Sequence, residues 1–257
     1  MKGITSIAII GTGNVAFHLG KAFFDKGITI KEVYGRNKEL ATELADSLKS
    51  IVAPNLNDLR SDLILICTSD DAIESIVSQL PKDSKIAYTS GAVSIEKFKD
   101  FKDIGVFYPL QTFSKEREIN LFEVPFLIEA SNSFLAQDLF DLAWLLSRNV
   151  TFASSEQRKK YHLAAVFVNN FTNHLFHQAK KYAEQEELNW DYLKPLMKET
   201  VEKILLTNPE HAQTGPAKRN DLETLKIQSE MLSGMSKEIY ELLSKSIINT
   251  YNQHDKL

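Results

Sequence analysis

The sequence predicts an α/β protein whose N-terminal part forms a mostly parallel sheet and whose C-terminal part is all-α. Short apolar runs alternate with helical patterns up to residue 153, and only helical patterns follow. Glycine is frequent in the turns between short strands and helices, and eight of the ten glycines precede residue 154. A chain of 257 residues is long enough to build two cores. We therefore predict one domain over residues 1–153 and a helical domain over residues 154–257.

Six apolar runs, most of them bounded by Gly, Asp, Ser or Pro, predict the strands. They cover residues 4–10, 28–34, 62–67, 85–89, 106–110 and 125–128. Apolar residues at three- and four-residue spacing predict the helices. These cover residues 14–25, 38–49, 71–79 and 134–146, followed by 156–187, 192–206, 221–232 and 237–252. Strands that alternate with helices favour a parallel sheet with helices on both faces.

Composition argues against several classes of partner. The net charge is -4 and no stretch concentrates Lys and Arg, so we expect no nucleic acid partner. No apolar run approaches the roughly 20 residues that span a bilayer, so we expect no membrane partner. The single Cys67 forms no internal disulfide, and no Cys and His residues stand at metal-ligand spacing. We therefore expect no metal and a reducing, cytoplasmic location.

The strongest local motif is a glycine loop between the first strand and the first helix. It reads Gly11-Thr12-Gly13-Asn14-Val15-Ala16, the dinucleotide fingerprint with Ala at the third small position. Gly11 permits the tight turn, Gly13 lets a pyrophosphate approach the backbone, and Ala16 lets helix and strand pack closely. All six residues are therefore candidate cofactor contacts in a Rossmann-type domain.

The end of the second strand predicts which cofactor binds. An acidic residue there binds the ribose 2′-hydroxyl of NAD, whereas a basic residue suits the 2′-phosphate of NADP. Here Gly35 takes the place of the acid, and Arg36 and Asn37 follow it. Arg can pair with phosphate through two hydrogen bonds, so NADP is favoured. Glu32 and Glu39 are close enough in the sequence to keep NAD as an alternative.

Two further strand ends should face the same crevice, because ligands of open α/β sheets bind at the carboxyl ends of the strands. Thr68 and Ser69 follow one strand, and Ser90 and Gly91 follow another. All four are candidate cofactor contacts. The alternative is turn chemistry, with Asp70 as a helix N-cap.

Residues 161–174 are too apolar for a surface helix but carry polar side chains on one side. At 100° per residue His162, Asn169, Asn170, Asn173 and His177 fall on a common face. We predict a buried helix with a polar face that opens to a cleft. His162 would donate or accept a proton, Asn169 would orient His162 or the substrate, and Asn173 would contact substrate. The alternative is a structural stripe at a subunit or domain contact.

A polar loop interrupts the helical part at residues 206–221, which include two Pro and one Gly. Thr214, the backbone N–H of Gly215, and Arg219 could bind an anionic group of a substrate. The alternative is an interhelical turn in which Asp221 caps the next helix.

Four motifs in order carry a resemblance over nearly the whole chain. They are the glycine loop, Tyr108-Pro109-Leu110-Gln111-Thr112-Phe113, His162 with Asn169-Asn170, and Thr214-Gly215-Pro216 with Arg219 and Asp221. The chain resembles a bacterial family that joins a Rossmann-like domain to a helical domain of unknown function. More distantly it is similar to pyrroline-5-carboxylate reductase, prephenate dehydrogenase and the 6-phosphogluconate dehydrogenase-like enzymes. In those enzymes a helical C-terminal domain completes the site and often the dimer, which implies a homodimer through the helical domain here.

The resemblance implies roles but also sets limits on them. The reductase loop that holds the substrate carboxylate is similar in placement to Thr214 and Gly215. Many relatives are expected to have His before the Pro-Leu-Gln segment, where this chain has Tyr108, so Tyr108 or His162 would be the acid or base. The hydroxyacid dehydrogenases have Lys three residues before an Asn pair, where this chain has Val166. Their Lys mechanism therefore does not transfer.

These features favour an NADP-dependent oxidoreductase. It would pass hydride between the nicotinamide and a carbonyl, imine or alcohol of a small, anionic metabolite. The substrate is expected between the two domains. The alternative is a protein that binds NADP as a sensor or scaffold without turnover.

Overall fold

The computed structural model describes residues 3–252, and one eight-stranded sheet organises their N-terminal part. The strand order is β3-β2-β1-β4-β5-β6-β7-β8. All neighbouring strands are parallel except β6 and β7. The strands are β1 (Ser6–Ile10), β2 (Thr29–Tyr34), β3 (Ile51–Val52), β4 (Leu63–Ile66), β5 (Ile86–Tyr88), β6 (Ile104–Pro109), β7 (Phe126–Ala130) and β8 (Val150–Phe152).

Helices fill the connections and make up the C-terminal part. In the N-terminal part they are α1 (Asn14–Asp25), α2 (Lys38–Ser47), α3 (Asp70–Val77) and α4 (Ser133–Trp144). The others are α5 (Ser155–Ala165), a π-helical segment (Val166–Phe171), α6 (Thr172–Gln185), α7 (Lys194–Leu206), α8 (Pro209–Ala212), α9 (Leu222–Glu230) and α10 (Gly234–Asn252). The predicted fold class, a mostly parallel Rossmann-type sheet followed by helices, is confirmed.

The prediction missed elements that are too short to show a period. Strands β3 and β8 have two and three residues, and α8 has four. The helix predicted over residues 156–187 is interrupted by the π-helical segment. A π-helix forms i→i+5 hydrogen bonds, so the constant 100° spacing that placed Asn169 and His162 on one face does not hold across it.

By its internal packing the chain divides into two compact units, Met1–Asn170 and Phe171–Leu257. Unit 1 contains the sheet and helices α1 to α5, and unit 2 contains helices α6 to α10. The domain boundary after residue 153 stays a prediction. That residue is followed by Ser154, which caps the first turn of α5.

Unit 1 has a core on each face of its sheet. All five residues of β1 are buried, as expected for a central parallel strand covered by helices. Ile7 and Ile9 pack on one face with α1, α2 and α4, and Ala8 and Ile10 pack on the other face with α3. Gly20 of α1 allows close approach, because a Cβ there would lie 2.9 Å from Ile9 Cδ1. This packing fixes the carboxyl ends of the strands, where the candidate site lies.

Unit 2 buries far less apolar surface. Among its described residues only three apolar side chains are buried, those of Ala183, Ala217 and Leu225. Tyr192, Leu205 and Leu206 are 80%, 78% and 85% exposed. Within residues 3–252, no helix is both long enough and apolar enough to cross a bilayer.

The expectation of a buried helix over residues 161–174 is wrong for the single chain. Leu163, Phe167 and Val168 are 60%, 62% and 76% exposed. The apolar composition of this helix is therefore not matched by burial within the single chain.

Candidate cofactor and active site

The glycine loop adopts the conformation that its sequence predicts. Gly11 follows β1 with φ of 121°, a region that favours glycine, and a Cβ there would collide with the carbonyl oxygen of Cys67. Gly13 is the N-cap of α1, and no side chain caps the helix there. A Cβ on Gly13 would meet nothing within 4 Å. The first turn of α1 therefore faces open space with uncapped N–H groups, which suits a pyrophosphate.

A cavity of about 1100 Å³ extends from this loop along the carboxyl ends of the strands. Nine predicted cofactor contacts line it, namely Gly11, Thr12, Gly13, Asn14, Val15, Arg36, Asn37, Thr68 and Ser69. The other lining residues are not among the predicted contacts; they are Ile10, Tyr34, Gly35, Leu56, Cys67, Asp71, Ala72, Ser75, Ile76, Gln79, Thr89, Gln111, Thr112 and Phe113. Many of these residues follow other strands or lie on α3. They could have been found only by applying to every strand the rule that ligands bind at the carboxyl ends of the strands.

The cavity has a basic and not an acidic residue at the end of β2. Exposed Arg36 lines it, and Gly35 is required because a Cβ there would lie 2.6 Å from Thr12 Cγ2. Glu32 is buried, and its carboxylate accepts hydrogen bonds from the Arg60 backbone N–H and the Ser61 hydroxyl. It is therefore not available to bind the ribose 2′-hydroxyl of NAD. A ribose 2′-phosphate therefore meets a cation here, whereas the 2′-hydroxyl of NAD lacks its usual acidic partner.

The start of α3 adds one acidic group to the cavity. Ser69 occupies the N-cap position, so the alternative that made Asp70 the N-cap is wrong. A hydrogen bond from Ser69 lowers the pKa of Asp71, and the positive charge of Arg36 lowers it further. Asp71 is therefore an anion beside Arg36 that a phosphate group would have to compete with.

Three predicted cofactor contacts do not line the cavity. Ala16 is buried in the core. The Ser90 hydroxyl accepts hydrogen bonds from the N–H groups of Ala92 and Val93, a pattern that is typical of a turn. A Cβ on Gly91 would lie 2.7 Å from the Tyr108 ring, so Gly91 makes room for that ring. The cofactor roles of Ala16, Ser90 and Gly91 stay predictions.

Tyr108 and His162, two predicted catalytic residues, lie together. The Tyr108 hydroxyl is 3.2 Å from His162 Nδ1, and the two rings meet edge to face. Tyr108 is half-buried near the end of β6, and His162 lies on α5 with its side chain exposed. Burial raises the pKa of the Tyr108 hydroxyl, and the charge of Asp70 raises it further. Tyr108 is therefore a hydrogen-bonding group that keeps its proton at neutral pH.

A buried ion pair holds the helix that carries His162. Arg158, one turn before His162, is fully buried and pairs with Glu129 of β7. Its guanidinium also donates to the carbonyl of Val93 at 2.7 Å, and Ser155 donates to Glu129 at 2.7 Å. A capping box formed by Ser154 and Gln157 begins the helix. These contacts fix the start of α5 against the sheet, and with it the direction in which His162 points.

Cys67 is not a nucleophile in this site. It is free and buried, and burial raises the pKa of its thiol to about 12. A thiol protonated at neutral pH does not attack a carbonyl. In the described part of the chain, no group of three or more His, Cys, Asp or Glu side chains is arranged to hold a metal ion.

The remaining predicted site residues are described within their own units. Asn169 lies in the π-helical segment, an irregularity that is frequent at functional sites. Asn173 lies on α6 in unit 2. Thr214, Gly215 and Arg219 form a turn after α8, in which Gly215 has φ of 104° and its carbonyl accepts from the Arg219 N–H. Asp221 caps α9 through the Thr224 N–H, as the alternative interpretation of this loop expected. The substrate roles of these residues stay predictions.

Two family descriptions match consecutive parts of the chain. Residues 6–90 match the family described as "NADP oxidoreductase coenzyme F420-dependent", and residues 124–247 match a "Domain of unknown function (DUF2520)". A comparison with curated proteins finds no match.

Solved structures extend the similarity to the whole chain. The structure described as "putative NADP oxidoreductase BF3122 from Bacteroides fragilis" is 38% identical, with a TM-score of 0.88, and the match covers 96% of this chain and 98% of that one. Protein TM1727 from Thermotoga maritima is 21% identical, with a TM-score of 0.72 over 97% of this chain and 100% of that one. An imine reductase from Myxococcus stipitatus in complex with NADP+ shares the fold at 16% identity, with a TM-score of 0.69 over 98% and 94% of the two chains. The chain therefore belongs to the family of the Bacteroides fragilis protein, that of the Rossmann-fold NADP oxidoreductases, and its cofactor is NADP.

Proposed function

We propose that the protein transfers hydride between NADP and a carbonyl, imine or alcohol group of a small, anionic metabolite. The observation that carries the proposal is the contact between Tyr108 and His162 at the same edge of the sheet as the cofactor cavity. When bound, NADPH would supply the hydride to the carbon of the C=O or C=N bond, and NADP+ would accept it in the reverse direction. The π electrons of that bond move onto its oxygen or nitrogen, and the chain must supply a proton to this atom, or remove one in the reverse direction.

His162 is the proton carrier in this proposal. As the acid, His162 is an imidazolium whose Nδ1–H donates to the Tyr108 hydroxyl oxygen, so release of the Nε2 proton leaves a neutral imidazole. In the reverse direction Nε2 of that neutral imidazole accepts the proton. The hydroxyl of Tyr108 fixes the tautomer and the ring direction, and Glu129 and Arg158 fix the helix on which His162 lies. Asn169 orients His162 or the substrate in this scheme.

In this proposal, residues of unit 2 bind the substrate. Thr214, Gly215 and Arg219 would bind the anionic group of the substrate, supported by the positive charge of exposed Arg219 and the glycine turn at Gly215. Asn173 would contact the substrate as well. Structural neighbours include an imine reductase and a reductive aminase, which supports a carbonyl or imine substrate.

A homodimer formed through the helical part also belongs to the proposal. The support is the large exposed apolar surface of α6 to α10, together with an apolar groove of about 470 Å³ between α6, α9 and α10. Soluble monomers rarely leave so much apolar surface uncovered. The cytoplasmic location expected from the single free Cys67 is proposed with it.

Substrate-dependent oxidation of NADPH tests the function. The purified protein is incubated with NADPH and a panel of oxo acids and cyclic imines, and the NADPH absorbance is followed. His162→Ala should lower the turnover rate by about 10²-fold or more while NADPH still binds. Tyr108→Phe should lower it less, and Tyr161→Phe is the matched control that should leave it unchanged. Full turnover by His162→Ala would remove His162 as the proton carrier, and binding of NADPH without any turnover would favour the sensor alternative.

A further inference from the structure

The segment that follows β6 makes contacts that the proposed function does not use. We call residues 111–115 the strap. Asn14 Nδ2 donates a hydrogen bond to the carbonyl oxygen of Phe113 at 2.8 Å. His18 Nε2 donates to the next carbonyl, that of Ser114, also at 2.8 Å. Because Asn14 and His18 are four residues apart on α1, they lie on the same face of the helix and hold two consecutive carbonyls of the strap.

Side-chain packing supports the two hydrogen bonds. The rings of His18 and Phe113 have centroids 5.4 Å apart, and Phe113 is buried. Lys115 Nζ lies 5.9 Å from the centroid of the Phe17 ring. The strap contains no helix or strand, so its position depends on these contacts with α1.

The strap is also one wall of the cofactor cavity. Gln111, Thr112 and Phe113 line the cavity together with Gly13 and Asn14 of the glycine loop. The side-chain oxygen Oε1 of Gln111 accepts a hydrogen bond from the Thr112 N–H at 2.8 Å, which gives this part of the strap a defined conformation. Gln111 and Thr112 are exposed and polar, so their side chains can contact a ligand that occupies the cavity.

The end of the cavity at which the strap lies can be read from the strand order. Arg36 follows β2 on one side of β1, whereas the strap follows β6 on the other side, beyond β4 and β5. The adenosine 2′-phosphate belongs at Arg36. The strap therefore lies towards the pyrophosphate and the nicotinamide half of the dinucleotide.

We propose that His18 is a positioning residue for NADP, which holds the strap against α1 so that Gln111 and Thr112 contact the pyrophosphate and nicotinamide half of the cofactor. Asn14 shares this role, because its side-chain amide donates a hydrogen bond to the carbonyl oxygen of Phe113 in the strap. The inference goes beyond the proposed function, since it concerns cofactor binding and holds whether or not His162 transfers a proton.

Titration of the full-length protein with NADPH, followed by the fluorescence of the nucleotide, tests the proposal. His18→Ala should weaken NADPH binding about five- to tenfold, because it removes a hydrogen bond and a ring contact that hold the strap. His18→Gln should stay within about twofold of the unchanged protein, since its amide can donate to the same carbonyl. His174→Ala, which removes an exposed His from unit 2, is the matched control and should have no effect on the affinity.

Two further measurements separate positioning from a general loss of stability. Gln111→Ala and Thr112→Ala remove exposed side chains, and each should weaken NADPH binding without lowering the melting temperature. In hydrogen exchange, NADPH should protect the amides of residues 111–115 in the unchanged protein, and His18→Ala should speed their exchange. The proposal is overturned if His18→Ala binds NADPH with unchanged affinity, or if neither Gln111→Ala nor Thr112→Ala weakens binding.

Discussion

The two compact units of this chain differ in how completely they bury their own apolar side chains. Unit 1 has a fully buried central strand, cores on both faces of the sheet and a buried ion pair between Glu129 and Arg158. Unit 2 buries three apolar side chains among its described residues and exposes many large ones. Unit 1 therefore has the core of an independently stable domain, whereas unit 2 does not.

The difference shows where each unit obtains its stability. Burial of apolar surface is the main favourable contribution to folding, and an all-helical unit with few buried side chains obtains little of it from one chain. In the homodimer proposed above, a second copy of unit 2 would supply the missing contacts. We therefore expect the stability of unit 1 to be independent of protein concentration and that of unit 2 to depend on it.

The largest expected effect of a single change is at the ion pair of unit 1. Glu129→Leu leaves the fully buried Arg158 without its carboxylate. The free energy of unfolding should fall by about 3–5 kcal/mol, because an unpaired buried charge is strongly unfavourable. Urea denaturation followed by circular dichroism measures it.

Two controls accompany this change. The double variant Glu129→Leu with Arg158→Met should regain most of the lost stability, since it removes both charges. Glu156→Ala, which breaks the exposed pair with Lys160, should change the stability far less than Glu129→Leu does. A loss at Glu129→Leu no larger than that at Glu156→Ala would contradict the account of unit 1.

A charge placed on unit 2 should have the next largest effect, seen in the molecular mass. Leu206→Glu changes a side chain that is 85% exposed in the single chain, so it should weaken a dimer by about tenfold or more and leave the single chain intact. Light scattering over a range of protein concentrations measures the mass. Phe134→Glu, at a position of unit 1 that is 65% exposed, is the matched control and should keep the dimer. If the unchanged protein is a monomer at every concentration, unit 2 does not obtain its missing contacts from a second copy.

The smallest expected effect is the pH dependence that Asp62 contributes to unit 1. Hydrogen bonds from the hydroxyl and N–H of Thr5 and from Ser6 lower the pKa of Asp62 from 3.8 to about 2. A carboxyl with a lowered folded-state pKa stabilises the protein above its unfolded pKa and loses that contribution as the pH falls from about 4 to about 2. Asp62 is exposed, so we expect less than about 1 kcal/mol.

Asp62→Asn checks this sign. The variant should be slightly less stable at pH 7, and the difference from the unchanged protein should shrink as the pH is lowered towards 2. Urea denaturation at several pH values measures the difference. A difference that stays constant across this range would mean that the carboxylate charge does not stabilise the start of β1.

Local signals were sufficient to predict the glycine loop and most strands and helices of unit 1, but not its short strands β3 and β8. The limits of α1 agree with the prediction because the loop fixes its start and Gly27 follows its end. The cavity residues that sequence reasoning missed, such as Leu56 and Gln111, come from segments that only the folded sheet brings to the glycine loop. Their contribution depends on tertiary packing, which no local pattern records.

The helical part was harder to predict for a different physical reason. Apolar periodicity shows that a face will be covered but not by what, so the exposed positions of Leu163 and Val168 in the single chain could not be foreseen. The π-helical segment was not predicted either, because a spacing of 100° per residue assumes an unbroken α-helix. The pairing of Glu129 with Arg158 joins residues 29 apart and leaves no local trace.

The most direct test of the account is a titration with NADPH and NADH of the unchanged protein, of Arg36→Ala and of the matched control Lys38→Ala. NADPH should bind more tightly than NADH, and Arg36→Ala should weaken NADPH binding by about tenfold or more while the affinity for NADH is little affected. Lys38→Ala, two residues further along at the start of α2, should change neither affinity by more than about twofold. Equal affinities for the two nucleotides in the unchanged protein, or an equal loss of both in Arg36→Ala, would contradict the assignment of the 2′-phosphate to Arg36.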